Sequence, residues 1–265
     1  EDPTGQRGAG QPAPAGRPAT PRIRVGAIGH AARKPGQVGR RGNTHGRSHC
    51  RADRFRGHGG RAYGRARGTR FNVVFDAIVL AGGAAARLGG ADKPALDVGG
   101  SALLDHVLAA VADADRIVVV GPGRPAVVPV IWCREEPPGG GPVAALAAGL
   151  PHVEADVVLT LAADLPWIGP AVPVLLAALT GSTADCAALV DGAGRVNYLS
   201  AAWRRASLVR ALTVLGEPTG APMRGLVSTA TLLEVPDEGS WGLDCDTWDD
   251  IDGARRRLHR EGTAR

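Results

Sequence analysis

Near Val73 the pattern of apolar and polar positions changes character. Beyond it, short apolar runs of strand length alternate with stretches of helical period. Phe75–Ala81 is such a run and stops at glycines, as expected of a strand buried on both faces of a parallel sheet. Arg116–Val120, Val127–Cys133, Asp156–Ala162, Asp185–Val190, Tyr198–Trp203 and Thr231–Val235 read as further strands. One helix is predicted to be capped by Ser101 and to run through Leu103, Leu104, Val107 and Leu108. Others are predicted over Pro142–Leu150, Pro170–Leu179, Arg204–Leu215, Pro222–Val227 and Thr247–His259. Strands alternating with helices predict an α/β domain with a mainly parallel sheet over 75–265. Its length, roughly 190 residues, suits one domain. No apolar run reaches the roughly 18 residues of a membrane span, and no signal-peptide core precedes the domain.

Charge divides the chain at the same place. Residues 1–74 hold 16 Lys+Arg against 3 Asp+Glu, and residues 75–265 hold 15 against 23, so the formal net charge of +5 hides a basic segment and an acidic domain. The first segment is rich in Gly, Pro and Arg and lacks apolar periodicity, which predicts disorder. It reads as a bland tail or sequence upstream of the true start, ahead of a transit peptide or a nucleic-acid-binding arm. Its aromatics Phe55, Tyr63 and Phe71 form no stacking array, so a nucleic-acid partner is not expected. His45, His49, Cys50 and His58 lack the paired spacing of a zinc module. Cys133, Cys186 and Cys245 stand singly, which predicts core packing in a reducing, cytoplasmic setting.

The chemistry concentrates after the first strand. Asp76 to Lys93 is a strand that opens into a glycine-rich loop ending in lysine, and Lys34 and Lys93 are the only lysines in the chain. A lysine there suggests a need for a compact ammonium. Glycines let backbone N–H groups approach a phosphate. The loop matches neither the P-loop nor the dinucleotide fingerprint, and Arg87, Asp92 and Lys93 together favour a phosphate site over a generic turn. Ligands of open α/β sheets bind beyond the carboxyl ends of the strands. That rule predicts one rim holding the glycine loop, Gly121-Pro-Gly123, the loop from Arg134 through Glu135 and Glu136 to Gly141, and Asp164. Asp164 suits a hard cation such as Mg²⁺ better than a turn-stabilising role. In the stretch from Leu243 to Ile251, Thr247 or Asp246 can cap the last helix with Asp249 and Asp250 in its first turn, while Asp244 or Asp246 can add a second carboxylate to the metal. A carboxylate of Glu135 or Glu136 suits the N1–H and N2–H₂ edge of guanine, and equally a solvated pair. The five tryptophans read as core or rim packing.

Together these residues resemble the nucleotidyltransferases of the molybdenum cofactor guanylyltransferase type. Leu80 to Gly100 (LAGGAAARLGGADKPALDVGG) is similar to their signature loop. Gly141–Gly149 (GPVAALAAG), Ala163–Ile168 (ADLPWI) and Asp246–Ile251 (DTWDDI) resemble their later segments, in the same order across 75–260. The resemblance implies a Rossmann-like three-layer sandwich with a mainly parallel, mixed sheet, of the nucleotide-diphospho-sugar transferase type. It implies Mg²⁺-dependent transfer of GMP from GTP to the phosphate of molybdopterin, with release of pyrophosphate and transient contact with other molybdenum cofactor enzymes. Carried over by position, Leu80, Ala81, Gly82 and Gly83 would line the nucleotide and Lys93 would hold its phosphates. Gly121 would face base or ribose, Glu136 or less favourably Glu135 would read the base, and Asp164 would bind Mg²⁺ with Asp246. Arg87, Lys93 and Asp164 would be the catalytic set. Departures from the pattern are Ala85 for a frequent Ser, Gly121 for Asn, Trp248 for Pro, and Asn197-Tyr-Leu199 for a Pro-containing acceptor segment. The rival readings are a cytidylyltransferase for the same pterin, a sugar- or alcohol-phosphate nucleotidyltransferase, and a silent nucleotide-binding protein.

Overall fold

A computed structural model describes residues 22–25, 73–83 and 88–263. Its strands are β1 (Arg22–Val25), β2 (Phe75–Leu80), β3 (Asp97–Val98), β4 (Ser101–Ala102), β5 (Ile117–Val120), β6 (Ile131–Cys133), β7 (Val157–Ala162), β8 (Cys186–Val190), β9 (Val196–Arg204) and β10 (Thr231–Pro236). Its helices are α1 (Leu103–Ala110), α2 (Pro142–Gly149), α3 (Ala171–Thr180), α4 (Arg205–Leu215), α5 (Met223–Val227) and α6 (Trp248–Thr263). The main sheet runs β1-β10-β8-β9-β7-β2-β5-β6, and β3 and β4 form a separate hairpin. The pairs β10–β8, β7–β2, β2–β5 and β5–β6 are parallel, whereas β9 lies antiparallel to both β7 and β8. This is the mixed, mainly parallel α/β sheet expected from the alternating pattern.

Two cores cover the two faces. On one, Leu104, Val107 and Leu108 of α1 and Val172, Leu175 and Leu179 of α3 meet Ala77, Val79, Leu159 and Leu161 of the central strands. On the other, α2, α4 and α5 bring Val143, Leu146, Leu208 and Leu226 against Ile78, Val118, Val158 and the fully buried Trp203. Gly149 permits the close approach of α2, because a Cβ there would lie 2.9 Å from Ile78 Cγ2. A small third core joins Leu88, Val98 and Leu103 to Cys245, Ile251 and Ala254. It fastens α6 to the hairpin and to the end of the glycine loop.

From β2 the chain passes to β5 and β6 on one side, then returns to β7 on the other side of β2. The crevice at such a reversal lies between the carboxyl ends of β2 and β7. The loop after β2 and Asp164 after β7 therefore share one opening. The three described cysteines Cys133, Cys186 and Cys245 are buried, in keeping with a packing role. Burial, with the nearby Asp185 charge, pushes the Cys186 thiol up to about 12. Among the described residues no helix is long and apolar enough to cross a membrane.

Three expectations need correction. Ser101 does not cap α1. It pairs with Val98 in a hairpin turned by Gly99 and Gly100, both at positive φ, and α1 begins at Leu103. A Gly-Gly dipeptide readily forms such a two-residue turn. The strand expected over Val127–Cys133 is confined to Ile131–Cys133, since Pro129 offers no N–H to a ladder. Disorder throughout 1–74 also fails, because Arg22–Val25 add an antiparallel strand to the edge of β10, where Arg24 Nε lies 2.7 Å from Glu234 Oε1. Here a polar–apolar alternation meets an open sheet edge. The histidine and cysteine cluster of the tail, Arg87 and Ala85 lie outside the described residues.

Candidate active site

The glycine loop starts from a base fixed by the sheet. Ala81 N–H donates to Val120 C=O at 2.8 Å, and Leu80 C=O accepts Ala163 N–H at 3.0 Å. Leu80 and Ala81 are buried, whereas Gly82 and Gly83 are exposed. The first two form the floor of the loop, and the open backbone begins at Gly82. Gly121 lies against this floor: a Cβ there would be 2.7 Å from Ala81 C and O, and its φ of +155° is itself one that other residues rarely adopt. The missing side chain thus makes room for the loop, which is why an Asn-like side chain has no place at this position.

At its other end the loop delivers Lys93, the first residue of a short 3₁₀ turn with Pro94 next. The Lys93 ammonium donates to Asp164 Oδ2 and, at 2.6 Å, to Asp246 Oδ1. Burial lowers its pKa, but Asp164 first and then Asp246 outweigh this and hold it above its ordinary 10.5. Asp164 keeps Oδ1 buried with no hydrogen-bond partner.

Three contacts bring Asp246 there. Cys245 N–H donates to Asp164 C=O at 3.2 Å, tying the two segments backbone to backbone. Thr247 and Asp250 form a reciprocal cap of α6: Asp250 Oδ2 accepts Thr247 N–H and Oγ1–H, both at 2.7 Å, and Thr247 Oγ1 accepts Asp250 N–H at 3.2 Å. This pair supplies the cap, and the Asp246 carboxylate meets Lys93. Arg257 of α6 stacks over the Trp167 ring at 4.4 Å, fastening the helix to the segment that follows Asp164. Asp244 is exposed; partial burial of its carboxyl, then repulsion from Asp246 and Asp164, raise its pKa, and Lys93 offsets part of the rise. Of the two expected second carboxylates, Asp246 is the one that contacts Lys93.

The expected base loop also closes on itself. Glu135 Oε1 accepts Gly139 N–H at 3.0 Å, and Gly140 C=O accepts Gly220 N–H at 2.7 Å from the α4–α5 connection. Glu135 is thereby a loop-forming residue, while Glu136 is exposed. On the expected acceptor side, Asn197 spends both ends of its amide internally, donating to Gly242 C=O at 2.8 Å and accepting Leu199 N–H at 3.1 Å. It braces the segment leading to Asp244 and Asp246.

Sequence reasoning missed Arg124. It follows the Gly121-Pro-Gly123 turn, its side chain is only 12% exposed, and its Nη2 lies 3.1 Å from Asp92 Oδ1, next to Lys93. Among the many arginines of this chain nothing local marks it. The hint available was its place on the predicted rim.

Residues 77–231, more than half of the chain, match the model of the MobA-like NTP transferase domain. The chain belongs to this family. A probable molybdenum cofactor guanylyltransferase of Synechococcus elongatus is 42% identical over 100 residues, covering 35% of this chain and 51% of that protein. A molybdenum cofactor guanylyltransferase of Acidiphilium cryptum is 35% identical over 136 residues, 48% of this chain and 65% of the relative. The chain therefore spans between about half and two thirds of the length of these relatives. In fold it is similar to molybdopterin-guanine dinucleotide biosynthesis protein A from Archaeoglobus fulgidus, with a TM-score of 0.56, 17% identity and coverage of 70% of this chain and 99% of that one. It is also similar to 2-C-methyl-D-erythritol 4-phosphate cytidylyltransferase from Thermus thermophilus, with a TM-score of 0.53, 18% identity and coverage of 69% and 98%. The fold of this family member is thus shared by proteins named for different bases and acceptors.

Proposed function

We propose that this chain is a nucleotidyltransferase that moves GMP from GTP onto the phosphate of molybdopterin and releases pyrophosphate. The observation that carries the reading is Lys93, delivered by the glycine loop of a MobA-like domain to a point shared by Asp164 and Asp246. A phosphate oxygen of the acceptor forms a bond to the α-phosphorus of GTP, the bond from that phosphorus to the bridging oxygen breaks, and the electron pair leaves with pyrophosphate. Lys93 and the backbone amides from Gly82 onward bind the triphosphate and stabilise the charge that grows on the leaving group. Arg87, four residues beyond Gly83, is assigned to the same charge from its sequence position. Glu136, exposed beside the self-closed Glu135, accepts from guanine N1–H and N2–H₂. Cytosine offers a carboxylate only its amino group, so this residue favours GTP over CTP.

The donor set suits Mg²⁺. Asp164 Oδ1 is buried without a partner, Asp164 Oδ2 and Asp246 Oδ1 already converge on one cationic point, and both are hard oxygen donors. Among the described residues no group of three His, Cys, Asp or Glu is arranged to hold a metal. Asp164 and Asp246 would hold the ion with water and phosphate oxygens completing its shell, and when bound it supplies charge neutralisation at the reacting phosphates. Asp164 and Asp246, which would hold the ion, are the carboxylates that Lys93 meets here, so with the ion bound the Lys93 ammonium would be left to the triphosphate.

The test is pyrophosphate release by the full chain with Mg²⁺, molybdopterin and each of GTP, CTP, ATP and UTP. Release with GTP alone is expected. Release with CTP alone would retain the chemistry and overturn the base assignment of Glu136.

A further inference from the structure

The guanidinium of Arg124 is placed expensively. Its side chain is 12% exposed, it makes an ion pair with Asp92 through Nη2, and its Nε and Nη1 are buried with no hydrogen-bond partner. Arginine stays charged in proteins. A buried charge with one partner and two unmet donors is a net cost to folding, not a stabilising feature. Apolar replacement of such a group is commonly neutral or stabilising. A group held against a folding cost needs another reason.

Its partner supplies one. Asp92 immediately precedes Lys93, and its side chain makes no capping bond to the 3₁₀ turn that Lys93 opens, although its C=O accepts Ala95 N–H at 2.9 Å. The carboxylate that could cap this turn reaches instead across to the exit of β5. Three residues earlier on the same exit, Gly121 packs against Ala81 and Gly82. One short segment, Gly121 to Arg124, thus grips the glycine loop at both ends: at its first open glycine through backbone contact, and at its lysine through the Arg124–Asp92 pair. Arg124 Nε and Nη1 expose almost no surface and Nη2 is taken by Asp92, so the contact through which Arg124 acts is Asp92.

We infer that Arg124 is a positioning residue for nucleotide transfer. Through Asp92 it fixes the turn that aims Lys93 at the β- and γ-phosphates. This rests on the nucleotidyltransferase reading and adds to it a residue outside the signature loop, with a stated route of action.

The experiment compares equilibrium binding of GTP and GMP, with and without Mg²⁺, by the full-length wild type, Arg124→Met, Lys93→Met and the double variant, together with thermal unfolding. Lys93 addresses phosphates that GMP lacks. Arg124→Met is therefore expected to weaken GTP about tenfold, to leave GMP unchanged, and to keep or raise the melting temperature. In the Lys93→Met background, Arg124→Met is expected to add nothing, the non-additivity of two residues acting as a unit. A further loss of GTP affinity in that background would show direct ligand contact and overturn the positioning role. So would an undiminished GTP preference in Arg124→Met, or equal losses for GTP and GMP accompanied by a fall in melting temperature. A wild type without any preference for GTP over GMP gives a different signature: it overturns the nucleotidyltransferase reading, and this inference with it.

Discussion

Asp76 and Asp185, at the amino ends of the parallel strands, and Asp164, at the carboxyl end of β7, are treated in opposite ways. At the amino end of β2, Asp76 is buried, yet both oxygens are occupied: Oδ1 accepts Arg116 N–H at 2.9 Å, and Oδ2 accepts Glu154 and Ala155 N–H at 2.6 and 2.8 Å. At the same end, just before β8, Asp185 accepts from Ser207 Oγ, Arg210 Nη2 and Thr231 N–H at 2.6, 2.6 and 2.8 Å. At the carboxyl end, Asp164 has one oxygen on Lys93 and one buried without a partner, and Arg124 leaves two donors unmet. Saturated polar groups fasten loops to the sheet and stabilise the native state. Unsaturated ones cost stability, and in the proposed function Asp164 Oδ1 is kept for the metal while Arg124 serves to position Asp92. The saturated carboxylates at the amino edge hold the domain together, and the proposed function assigns the reaction to Asp164 at the carboxyl edge.

Variants can break this division. Asp164→Asn should have the largest effect on turnover, a fall in kcat of about 10³-fold or more, with the folded fraction at 25 °C unchanged. Steady-state kinetics beside calorimetry would reveal a mere stability role as a parallel loss of both. Asp76→Ala should do the reverse. It removes the acceptor of three part-buried backbone N–H groups and should cost about 3 kcal/mol of unfolding free energy, while the protein that remains folded keeps its kcat. Denaturant titration measures the first quantity and active-site-normalised kinetics the second. Lys93→Met should lower kcat/KM by about 10²-fold, and normal pyrophosphate release would remove the lysine from the mechanism.

The smallest effect sharpens the amino edge. Burial raises the Asp185 pKa, but hydrogen bonds from Ser207 and then Thr231, with the Arg210 charge, more than reverse this and hold it below its ordinary 3.8. A carboxylate depressed in the folded state stabilises above its unfolded pKa and loses that contribution as pH falls through the folded one. Asp185→Asn should therefore lose stability, on the order of 1 kcal/mol, by an equal amount between pH 5 and 8, with the gap to wild type closing below about 3.8. A gap that does not narrow at all as the pH falls below 3.8 would mean that shape rather than charge is responsible.

The legibility of the molecule follows the same division of local from non-local information. The strand Phe75–Leu80 and the lysine after its loop could be read because double burial and glycine chemistry leave local marks. The reciprocal Thr247–Asp250 cap was visible as one of two possibilities, and only the fold shows that Asp246 meets Lys93. The Asp97–Ala102 hairpin was hidden because its Gly-Gly turn falls inside the stretch that carries the glycine loop. The partners of Asp76, Arg124 and Asn197 could not be read. Those partners are Arg116, Glu154 and Ala155, then Asp92, then Gly242, each far along the chain, and nothing in their own neighbourhoods distinguishes them.

The most direct test follows label from the α-phosphate of GTP into molybdopterin in wild type, Asp76→Asn and Asp164→Asn, each normalised to folded protein. The account predicts label in the pterin product for wild type and Asp76→Asn at equal rates per folded molecule, and none for Asp164→Asn. Label transfer by Asp164→Asn at the wild-type rate, or none by wild type with GTP bound, would contradict it.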